Sequence, residues 1–513
     1  MKRRNLFLSL ICSVILTVAL ATFTIVSVVK PNKNGQNDNQ STNVSTSVSD
    51  TKPNLNEDRD GSADLPYLIY DIESFNHYVG NYGHADVANG EEICHYELAD
   101  DIDFAGTNFK TLFNQGKAFN GKIDGKGFAL KNISINVNKD NFVEFAYKSA
   151  EDANRYNAHI AIFGAIENAE IKDVKITGIS VNIAEDVYAF VSSAEFAETY
   201  GDAVNEITVS TFAAIAKDSI VSVEVEGQIN ADAYGIYAEN HVQGYNAVGG
   251  VVAVANGSTI SNTKVAVEFN SGAPVEGESK NYFVGGVAGY AYHTTIKDVT
   301  VDFDVNATYE QAIYVAGVAG YAFDAEIENV NVKLDAVEIG ERKKVQNGDT
   351  INIENYTWVA GAVAIIKADA SNKTNVTNVT INANVDIDVV YAGVVVEVWS
   401  TAGEKCVKFT DVVVASHVNV LEAFGFARDV ADCEFSLTRT EVDIENEAVY
   451  NVKLTGKVRL VGTPSDTVVA SAFIFEPCGG YSYSNVKVVV SGQIYAQLQS
   501  VEQMRLYGSF LTI

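Results

Sequence analysis

Cysteine is scarce in this chain, and no pair of cysteines has the spacing of a zinc site or a redox motif. The sequence of 513 residues contains five cysteines and no CxxC pair, which excludes a small domain held together by disulfides. Cys433 occupies an inward position of a repeat and is expected to be a buried free thiol. A Cys406–Cys433 bridge between neighbouring repeats is the alternative.

The motifs of common catalytic sites are missing as well. There is no HExxH, no GxSxG and no phosphate-binding glycine loop. The seven histidines are dispersed; His77, His84 and His95 lie close enough in sequence to suggest zinc, yet their spacing matches no standard site. We expect the histidines to lie on the surface, and the sequence predicts no catalytic residue, no cofactor and no metal ion.

Basic residues are few. Lys and Arg number 36 against 66 Asp and Glu, which gives a formal net charge of -30. Such a charge opposes binding to nucleic acid and to an anionic membrane surface. Arginine is sparse beyond the N-terminus, which argues against cleavage of acidic sugars, because a cation must neutralise their carboxylates.

What the chain has instead is a repeated hexapeptide, apolar-x-Asp/Asn-apolar-x-apolar, as in Leu130–Ile135 and Ile171–Ile176. Further copies begin at Ile260, Ile296, Ile327, Val376, Phe409, Val430, Val449 and Tyr483, and a variant at Ile220 carries Ser222 in the polar position. The alternating last three positions predict a strand with one buried face. The polar residue predicts a bend. Most copies lie about 30 to 50 residues apart, a period typical of solenoids, propellers and arrays.

A glycine-rich segment precedes many of these hexapeptides. Its clearest copies are Val248–Ala253, Val284–Tyr290 and Val315–Tyr321, and looser copies are Val359–Ala362, Tyr391–Val394 and Ala423–Phe426. Small or apolar residues on both faces predict a strand that is buried on both sides or pressed against a corner. Glycine at its centre permits a close backbone approach that a Cβ would obstruct.

Together the two repeats predict an all-β fold, a parallel β-solenoid of the right-handed β-helix type. Each coil would contribute two or three short strands to one continuous apolar core. The alternative is a β-propeller, whose blades have a similar period. Asn-Gly and Asp-Gly hairpin signals are too few for propeller blades, which favours the solenoid.

The N-terminal part of the chain divides by composition. Residues 1–29 are predicted to be a signal peptide, cleaved near Ala19–Ala21, or an uncleaved signal-anchor helix over Leu6–Val29. Residues 30–64 are polar and are predicted to be a disordered linker. Because basic residues precede the apolar run, we expect the remainder to be exported.

Residues 65–135 are predicted to form an N-terminal cap and the first coils, and residues 136–513 the solenoid repeats. A cap helix is expected within Pro66–Gly83, because five apolar residues there have helical spacing: Leu68, Ile69, Ile72, Phe75 and Val79. Solenoids need such caps to cover their open ends. The last residues, Leu506–Ile513, resemble the start of another repeat, and we expect a truncated reading of the gene or a last coil that pairs with something else.

Two groups of carboxylates are candidates for chemistry. Asp100, Asp101 and Asp103 are clustered and could bind calcium, although outward-facing aspartates on a strand need no metal. Asp298, Asp302 and Asp304 form an acidic strip that could act on a glycosidic bond. Such strips are usually solvated faces, and no partner base stands out.

Aromatic residues recur in the glycine-rich segment. Tyr290 and Tyr321 occupy the same repeat position, and Tyr282, Tyr292 and Tyr314 lie nearby. They could form a strip for stacking against sugar rings or a partner protein. Val254 and Ile365 occupy the same column as Tyr290 and Tyr321, which favours a buried ladder instead.

The opening of the repeat array resembles a known family. Tyr96–Phe104 and Phe119–Phe128, followed by the first hexapeptide, are similar to the start of bacterial surface proteins with GLUG-type repeats. Ile162–Gly164 and the glycine-rich segments resemble the core of that repeat. The resemblance implies a secreted or cell-surface protein, often classed with adhesins, and it implies no catalytic residue. The LPxTG-type sorting tail of such proteins is missing, which leaves attachment to the N-terminal segment.

The sequence therefore favours a non-enzymatic cell-surface or secreted repeat protein with a role in adhesion or as a structural spacer. The alternative is a carbohydrate-active β-helix enzyme, a lyase or a hydrolase. Expected partners are extracellular glycans or proteins of a host or cell surface, and the membrane through the N-terminal segment, but not nucleic acid. The expected location is the extracellular face of the cell membrane or the medium.

Overall fold

A computed structural model describes most of the chain between residues 55 and 418 and short strands beyond it. The described residues are 55–114, 116–148, 155–200, 203–231, 247–271, 282–308, 313–339, 357–368, 371, 373–386, 390–400 and 405–418, with short strands between 234 and 242 and between 422 and 492. Among these residues, no helix is both long and apolar enough to cross a membrane. Several predictions concern parts of the chain outside the described residues: the predicted anchor, residues 30–54, the hexapeptide at Val449, the side chains of Cys406 and Cys433, and Leu506–Ile513.

The chain forms coils, and each regular coil contributes one strand to each of three sheets, in the order C, B, A. Sheet A holds the long strands: Glu170–Ile183, Ile220–Asn230, Thr259–Asn270, Thr295–Thr308, Glu326–Ile339, Thr374–Asp386, Lys405–Val418, Glu434–Thr438 with Glu441–Asn446, and Tyr481–Ser484 with Lys487–Gly492. Sheet A begins with shorter strands from the first coils: Tyr67–Ile69, His95–Leu98, Ile102–Asp103, Lys122–Asp124, Ala129–Lys131 and Ser134–Val137.

Sheets B and C are built from short strands on either side of a tight corner. Sheet B contains Phe163–Glu167, Ala213–Lys217, Val252–Asn256, Ala288–Tyr292, Ala319–Phe323, Val363–Ala368, Val395–Ser400, Ala427–Ala431 and Ile474–Pro477. Sheet C contains Ala146–Lys148, Arg155–Ile160, Ala203–Ser210, Ala247–Gly249, Tyr282–Gly285, Ile313–Ala316, Trp358–Ala360, Val390–Ala392 and Glu422–Phe424, with Tyr234–Gly235 at its side. A separate hairpin joins Tyr237–Ala238 to His241–Val242.

Strands of successive coils pair in parallel and in register, which confirms the predicted β-solenoid and excludes the propeller. In sheet A, for example, Ile296 pairs with Ile260 of the preceding coil and with Ile327 of the following one. Propeller blades would instead be antiparallel hairpins. The inward positions form continuous columns, and one of them contains Ile171, Val221, Ile260, Ile296, Ile327, Val376 and Phe409, all fully buried. Each such side chain contributes about 1.5–3 kcal/mol through burial.

The polar residue of the hexapeptide makes the predicted bend. It adopts the left-handed conformation, with φ between 50° and 56°, at Asn132, Asp173, Asn262, Asp298, Asn329, Asn378 and Asp411. Asn and Asp tolerate this conformation better than other residues with a side chain, because they bond to nearby backbone groups. The alternation of Asp and Asn in the motif is thus explained by one backbone angle.

The hexapeptide register predicted at two positions is wrong. At Ile220 the inward position belongs to the next residue, Val221, which aligns with Ile171 and Ile260, while Ile220 itself is 49% exposed. This coil is one residue shorter at the bend, so the bulge seen in its neighbours is lost. Val430 lies in sheet B, not sheet A.

The predicted hexapeptide at Tyr483 has the right register. Leu437 takes the place of Phe409 in the next coil, and Tyr483 follows Leu437 in the coil after that. The motif at Tyr483 thus continues the same column of sheet A.

Glycines form a column at the corner between sheets C and B. The strand of sheet C ends at Gly285, the chain turns at Gly286, and the strand of sheet B begins at Ala288, so the glycine-rich segment is two strands and not one. A Cβ added at Gly286 would overlap the carbonyl oxygen of Gly317, and one at Gly317 would overlap that of Gly361. The predicted close backbone approach is therefore confirmed at this corner.

An asparagine ladder runs along the outer edge of sheet A. In this ladder, each side-chain amide donates to the side-chain carbonyl oxygen of the asparagine one coil earlier, at 2.6–2.8 Å. The ladder begins with Asn136 and continues through Asn182, Asn230, Asn270 and Asn306. The next position of this column is Val337. Identical amides pair well only when coils are stacked in register, so the ladder favours this register over a slipped one.

The N-terminal end is closed by a helical segment, as predicted. It consists of Ile72–Ser74, a π-turn at Phe75–Val79 and Gly80–Tyr82, and it buries Phe75 and Val79 against the core. The prediction is wrong for Leu68 and Ile69, which belong to the strand Tyr67–Ile69 because that strand pairs with the next coil at residues 96–98.

Further short helices lie at Val87–Asn89 and Phe142–Glu144, and two longer ones at Glu185–Val191 and Ala194–Tyr200. Part of the predicted linker is packed onto the fold. The amide of Asn56 donates to the carbonyl of Leu68 at 2.9 Å and accepts from its backbone N–H at 2.7 Å, and Arg59 donates to the carbonyl of Pro66. The folded part therefore begins before residue 65.

Candidate functional site

Aromatic side chains from sheets B and C meet on the outside of their shared corner. Phe283 of sheet C contacts Tyr290 and Tyr321 of sheet B, with ring centroids 5.0 Å and 5.6 Å apart. The next residue in each strand points the other way: Val284, for example, belongs to the solenoid interior. The outward faces of the two sheets thus form a concave angle. We call it the furrow and define it by Phe283, Tyr290, Tyr292, Tyr314, Tyr321, Phe323 and Trp358.

The rings of the furrow form columns along the solenoid axis. In sheet C, Phe283 pairs with Tyr314 and Tyr314 with Trp358, and their ring centroids are 5.2 Å and 5.5 Å apart. In sheet B, Tyr290 pairs with Tyr321, and their ring centroids are 5.2 Å apart. The furrow therefore extends over successive coils.

Burial divides the furrow into a floor and a rim. Tyr290 and Tyr321 are 2% and 9% exposed and lie in one column with Val254 and Ile365, so the predicted buried ladder is confirmed. Burial raises the pKa of the Tyr321 hydroxyl above its usual value.

The rim holds the more accessible rings. Phe283, Tyr292, Tyr314 and Phe323 are partly exposed. These four side chains are the ones a ligand in the furrow would meet first. The side chain of Tyr282 lies outside the described residues.

Sequence reasoning missed three rings of the furrow: Phe283, Phe323 and Trp358. The signal was present, because Phe283, Tyr314 and Trp358 each stand immediately before the Val-Gly or Val-Ala of the glycine-rich segment. Three aromatic residues at one repeat position predict a column. Their common direction, away from the interior, was not evident from the sequence.

At its N-terminal end, the outward face of sheet C is polar instead of aromatic. His159 Nε2 and Glu206 Oε1 are 2.9 Å apart, and both residues are 5% exposed. Tyr147 Oη lies 3.2 Å from His159 Nδ1. The expectation that histidines lie on the surface is therefore wrong for His159. The hydrogen bonding between these buried polar side chains offsets the loss of their hydration.

Two hydroxyls of the same strand are buried beside this pair. Thr208 is in register with His159 in the neighbouring strand, and Ser210 follows on the same face. Both are completely buried, and among the described residues their hydroxyls have no hydrogen-bond partner. Water is the usual partner of such hydroxyls.

The outer wall of sheet A carries the second candidate, an acidic cluster. Among the described residues, Asp302, Asp304 and Asp335 form the one group whose oxygens lie close enough to share a metal ion, within 4.8 Å of one another. Lys333 Nζ already lies 2.8 Å from Asp302 and 3.0 Å from Asp335. Burial raises the pKa of Asp304; Lys333 opposes this, and Asp302, Asp335 and Glu268 add to it. The Lys333 ammonium group thus already supplies a positive charge to this cluster of carboxylates.

The predicted acidic strip is only partly brought together. Asp302 and Asp304 are neighbours on the wall, as alternation on a strand requires, and Asp335 joins them from the next coil. Asp298 lies at the bend of its coil instead, where its carboxylate accepts from the amide of Asn329 at 2.9 Å. Its role is to hold the bend.

Two of the aspartates considered for calcium form hydrogen bonds and an ion pair with nearby backbone and side-chain groups. Asp101 accepts from the backbone N–H of Ala129 at 2.8 Å and pairs with Lys131 at 2.5 Å. Asp103 accepts from Ala105 and from the amide of Asn132. The hydrogen bond from Lys131 lowers the pKa of Asp101. These bonds support the interpretation as outward-facing structural residues.

The three histidines considered for zinc lie in different environments. His77 packs edge-on against Tyr78 and Tyr82, and His84 Nδ1 lies 2.7 Å from the carbonyl oxygen of Ala118. Burial lowers the pKa of His95 in its strand. They do not form a shared site among the described residues.

Charged residues line a pocket of about 340 Å³ on the first coils. Its carboxylates and lysines are paired with each other: Lys122 with Glu170 at 3.1 Å, and Lys172 with Asp124 at 3.2 Å. Lys126 lies 2.9 Å from Asp124. Such partly exposed pairs contribute about 0–1 kcal/mol each and form a solvated face.

No family model matches the chain, and no curated protein matches it. The fold and the chemistry of its outer surfaces are therefore the basis for inferring function.

Proposed function

We propose that this chain is an exported, non-enzymatic β-solenoid that serves at the outer face of a cell as a spacer or an adhesive surface. The observation that carries the proposal is the arrangement of its connections. The turns from sheet C to sheet B and from B to A are short in the regular coils, whereas the long connections 232–246, 272–281 and 340–356 lie between sheets A and C. A solenoid whose long connections lie at one corner suits a scaffold that presents a surface.

Three sequence features support the extracellular part of the proposal. The apolar run Leu6–Val29 follows basic residues, as in export signals. The net charge of -30 keeps a large repeat protein soluble. The resemblance of residues 96–135 to GLUG-type surface proteins has the same implication.

The test is to express the full chain with its N-terminal segment and to label intact cells with antibody against the solenoid. We expect labelling of intact cells, its loss after external protease, and adhesion of labelled cells to glycan-coated or cell-coated surfaces. Labelling that requires permeabilised cells would contradict export. A periplasmic or cytoplasmic marker controls for leakage.

A carbohydrate-active enzyme is the second candidate, and the acidic cluster of sheet A favours it. Glycoside hydrolysis uses two carboxyl groups, one of them protonated. Asp302 and Asp304 supply two carboxyl groups side by side on the wall, and burial raises the pKa of Asp304. Release of reducing ends from polysaccharides by the wild-type chain, abolished in Asp304→Asn, would establish it. Equal, background release by both proteins would exclude it.

A further inference from the structure

We propose that the furrow binds a neutral, extended, β-linked glycan, whose sugar rings stack on its four partly exposed aromatic side chains. The proposal rests on the adhesive function above and names its ligand and its site. Sugar rings present an apolar face of C–H groups, and aromatic rings are the side chains that stack on it. The furrow gathers four partly exposed rings in two columns that run along the solenoid axis.

The spacing of the rings suits a linear chain of sugars. Successive coils of a parallel solenoid lie about 4.8 Å apart, and the rings of Phe283 and Tyr314 are 5.2 Å apart. A sugar in an extended β-linked chain advances by a similar distance. A glycan laid along the furrow would therefore place one ring near each coil, in the direction in which the aromatic columns run.

The floor of the furrow fixes the orientation of its rim. Tyr292 is stacked on the buried ring of Tyr290, 5.7 Å away at an angle of 6°, and it also contacts Phe323 at 6.3 Å. Rings held by packing lose little conformational entropy on binding. Such rigid platforms are suited to a weak and repeated contact.

A polar pair beside the rings would bond the sugar hydroxyls. His293 Nδ1 lies 2.8 Å from Asp324 Oδ2, and the imidazole is 5.5 Å from the ring of Phe323. Both side chains are substantially exposed. Binding sites of this kind combine an apolar surface with a few polar groups that fix orientation.

The charge of the molecule selects a neutral ligand. With a net charge of -30, the chain repels acidic glycans. The seven residues that define the furrow carry no ionised group at neutral pH, and a lysine, Lys367, continues the column of Tyr292 and Phe323 only in the next coil. An uncharged glycan incurs no such cost.

The experiment measures binding of cellohexaose, chitohexaose, maltohexaose and oligogalacturonate to the full chain by calorimetry. We expect binding of one or both β-linked neutral oligomers, and at least about tenfold weaker binding of the α-linked and the acidic ones. The double variant Tyr292→Leu with Phe323→Leu keeps apolar volume at the rim but removes two aromatic faces. It should lose about tenfold in affinity or more while retaining the wild-type circular dichroism.

Tyr82→Leu is the matched control, because Tyr82 is an exposed aromatic residue of the cap, outside the furrow. It should bind like the wild type. If the double variant fails to fold, Phe323→Tyr, which keeps an aromatic face, should bind normally and Phe323→Leu alone should not. Absence of binding to all neutral β-linked oligomers, or equal affinity of the leucine variants and the wild type, would overturn the proposal. A chain that still mediates adhesion in either case would retain the adhesive function without this site.

Discussion

The outer wall of sheet A and the furrow are built by the same coils, yet their chemistry is opposite. On the wall, alternate residues are charged or polar, as at Thr300, Asp302 and Asp304. In the furrow, the outward residues of the same coil are Phe283 and Tyr290, the second almost completely buried. Alternation along the strands, which places one face toward the solenoid interior and the other toward water, explains the wall. The furrow needs a different explanation.

The difference shows that, at the corner between sheets C and B, outward-facing side chains form a second apolar cluster outside the main core. A Cβ added at Gly289 or Gly320 of sheet B would lie within 2.8 Å of the Cβ of Ala247 or Phe283 of sheet C, so the two sheets approach each other closely on the outside of the corner. Their outward side chains then bury apolar surface against each other instead of facing water. Function is expected where a repeat protein departs from a plain solvated face, and the furrow is such a departure.

The largest contrast between the two surfaces is expected from side-chain truncation. Tyr290→Ala should lower the free energy of unfolding by about 3 kcal/mol, because it empties part of a packed cluster. Thr300→Ala on the wall should change it by less than about 0.5 kcal/mol. Urea denaturation of both variants measures the difference, and equal, small effects would contradict a second core in the furrow.

The second-largest loss of stability is expected when a side chain is added at the corner between sheets C and B. Gly286→Ala places a Cβ against the carbonyl oxygen of Gly317 and should cost about 2 kcal/mol, since the backbones must move apart. Gly80→Ala in the cap helix is the control, because its Cβ meets nothing within 4 Å among the described residues. The control should stabilise by about 0.5 kcal/mol. Similar Tm values for both variants would mean that the corner is not tightly packed.

A smaller effect is expected at the edge of the wall. Asn270 donates to Asn230 at 2.8 Å and accepts from Asn306 at 2.7 Å. Asn270→Ala removes both bonds and should cost about 1 kcal/mol. Asn331→Ala, at an exposed position of the same sheet, should be close to neutral. Thermal unfolding compares the two, and a neutral Asn270→Ala would show that the ladder does not stabilise the register.

The smallest effect concerns the acidic cluster and depends on pH. The pKa of Asp304 is raised in the folded state, chiefly by burial, so its ionisation at neutral pH favours unfolding. That loss of stability is absent at a pH below the pKa of Asp304 in the unfolded chain. It develops as the pH rises through the pKa of Asp304 in the folded protein. Asp304→Asn should therefore raise the free energy of unfolding by a few tenths of a kcal/mol at pH 7, and by nothing at pH 3. A variant less stable than the wild type at pH 7 would contradict this sign.

The solenoid was predictable because its signals are local and repeated. The hexapeptide at Ile296 and Ile327 alternates with period two, and its Asp or Asn fixes one bend per coil. Repetition makes a weak pattern strong, since each coil is an independent copy. The register at Ile220 was not predictable, because Ile220 and Val221 are both apolar and only the stacking decides which one faces inward.

The furrow was only partly predictable. Tyr290 and Tyr321 stand out as a repeat column, and their burial followed from Val254 at the same position. Their packing against Phe283 depends on the angle between two sheets, which no local pattern encodes. His159 and Glu206 were missed for the same reason: they lie far apart in sequence and meet only across neighbouring coils.

The most direct test of the central claim is hydroxyl-radical footprinting of the full chain with and without the neutral β-linked oligomer that binds best. If the furrow is the binding surface, oxidation of Tyr292 and Phe323 should fall on addition of the glycan, while that of Tyr82 should not change. Unchanged oxidation of Tyr292 and Phe323 at saturating glycan, or protection confined to the wall of sheet A, would contradict the account.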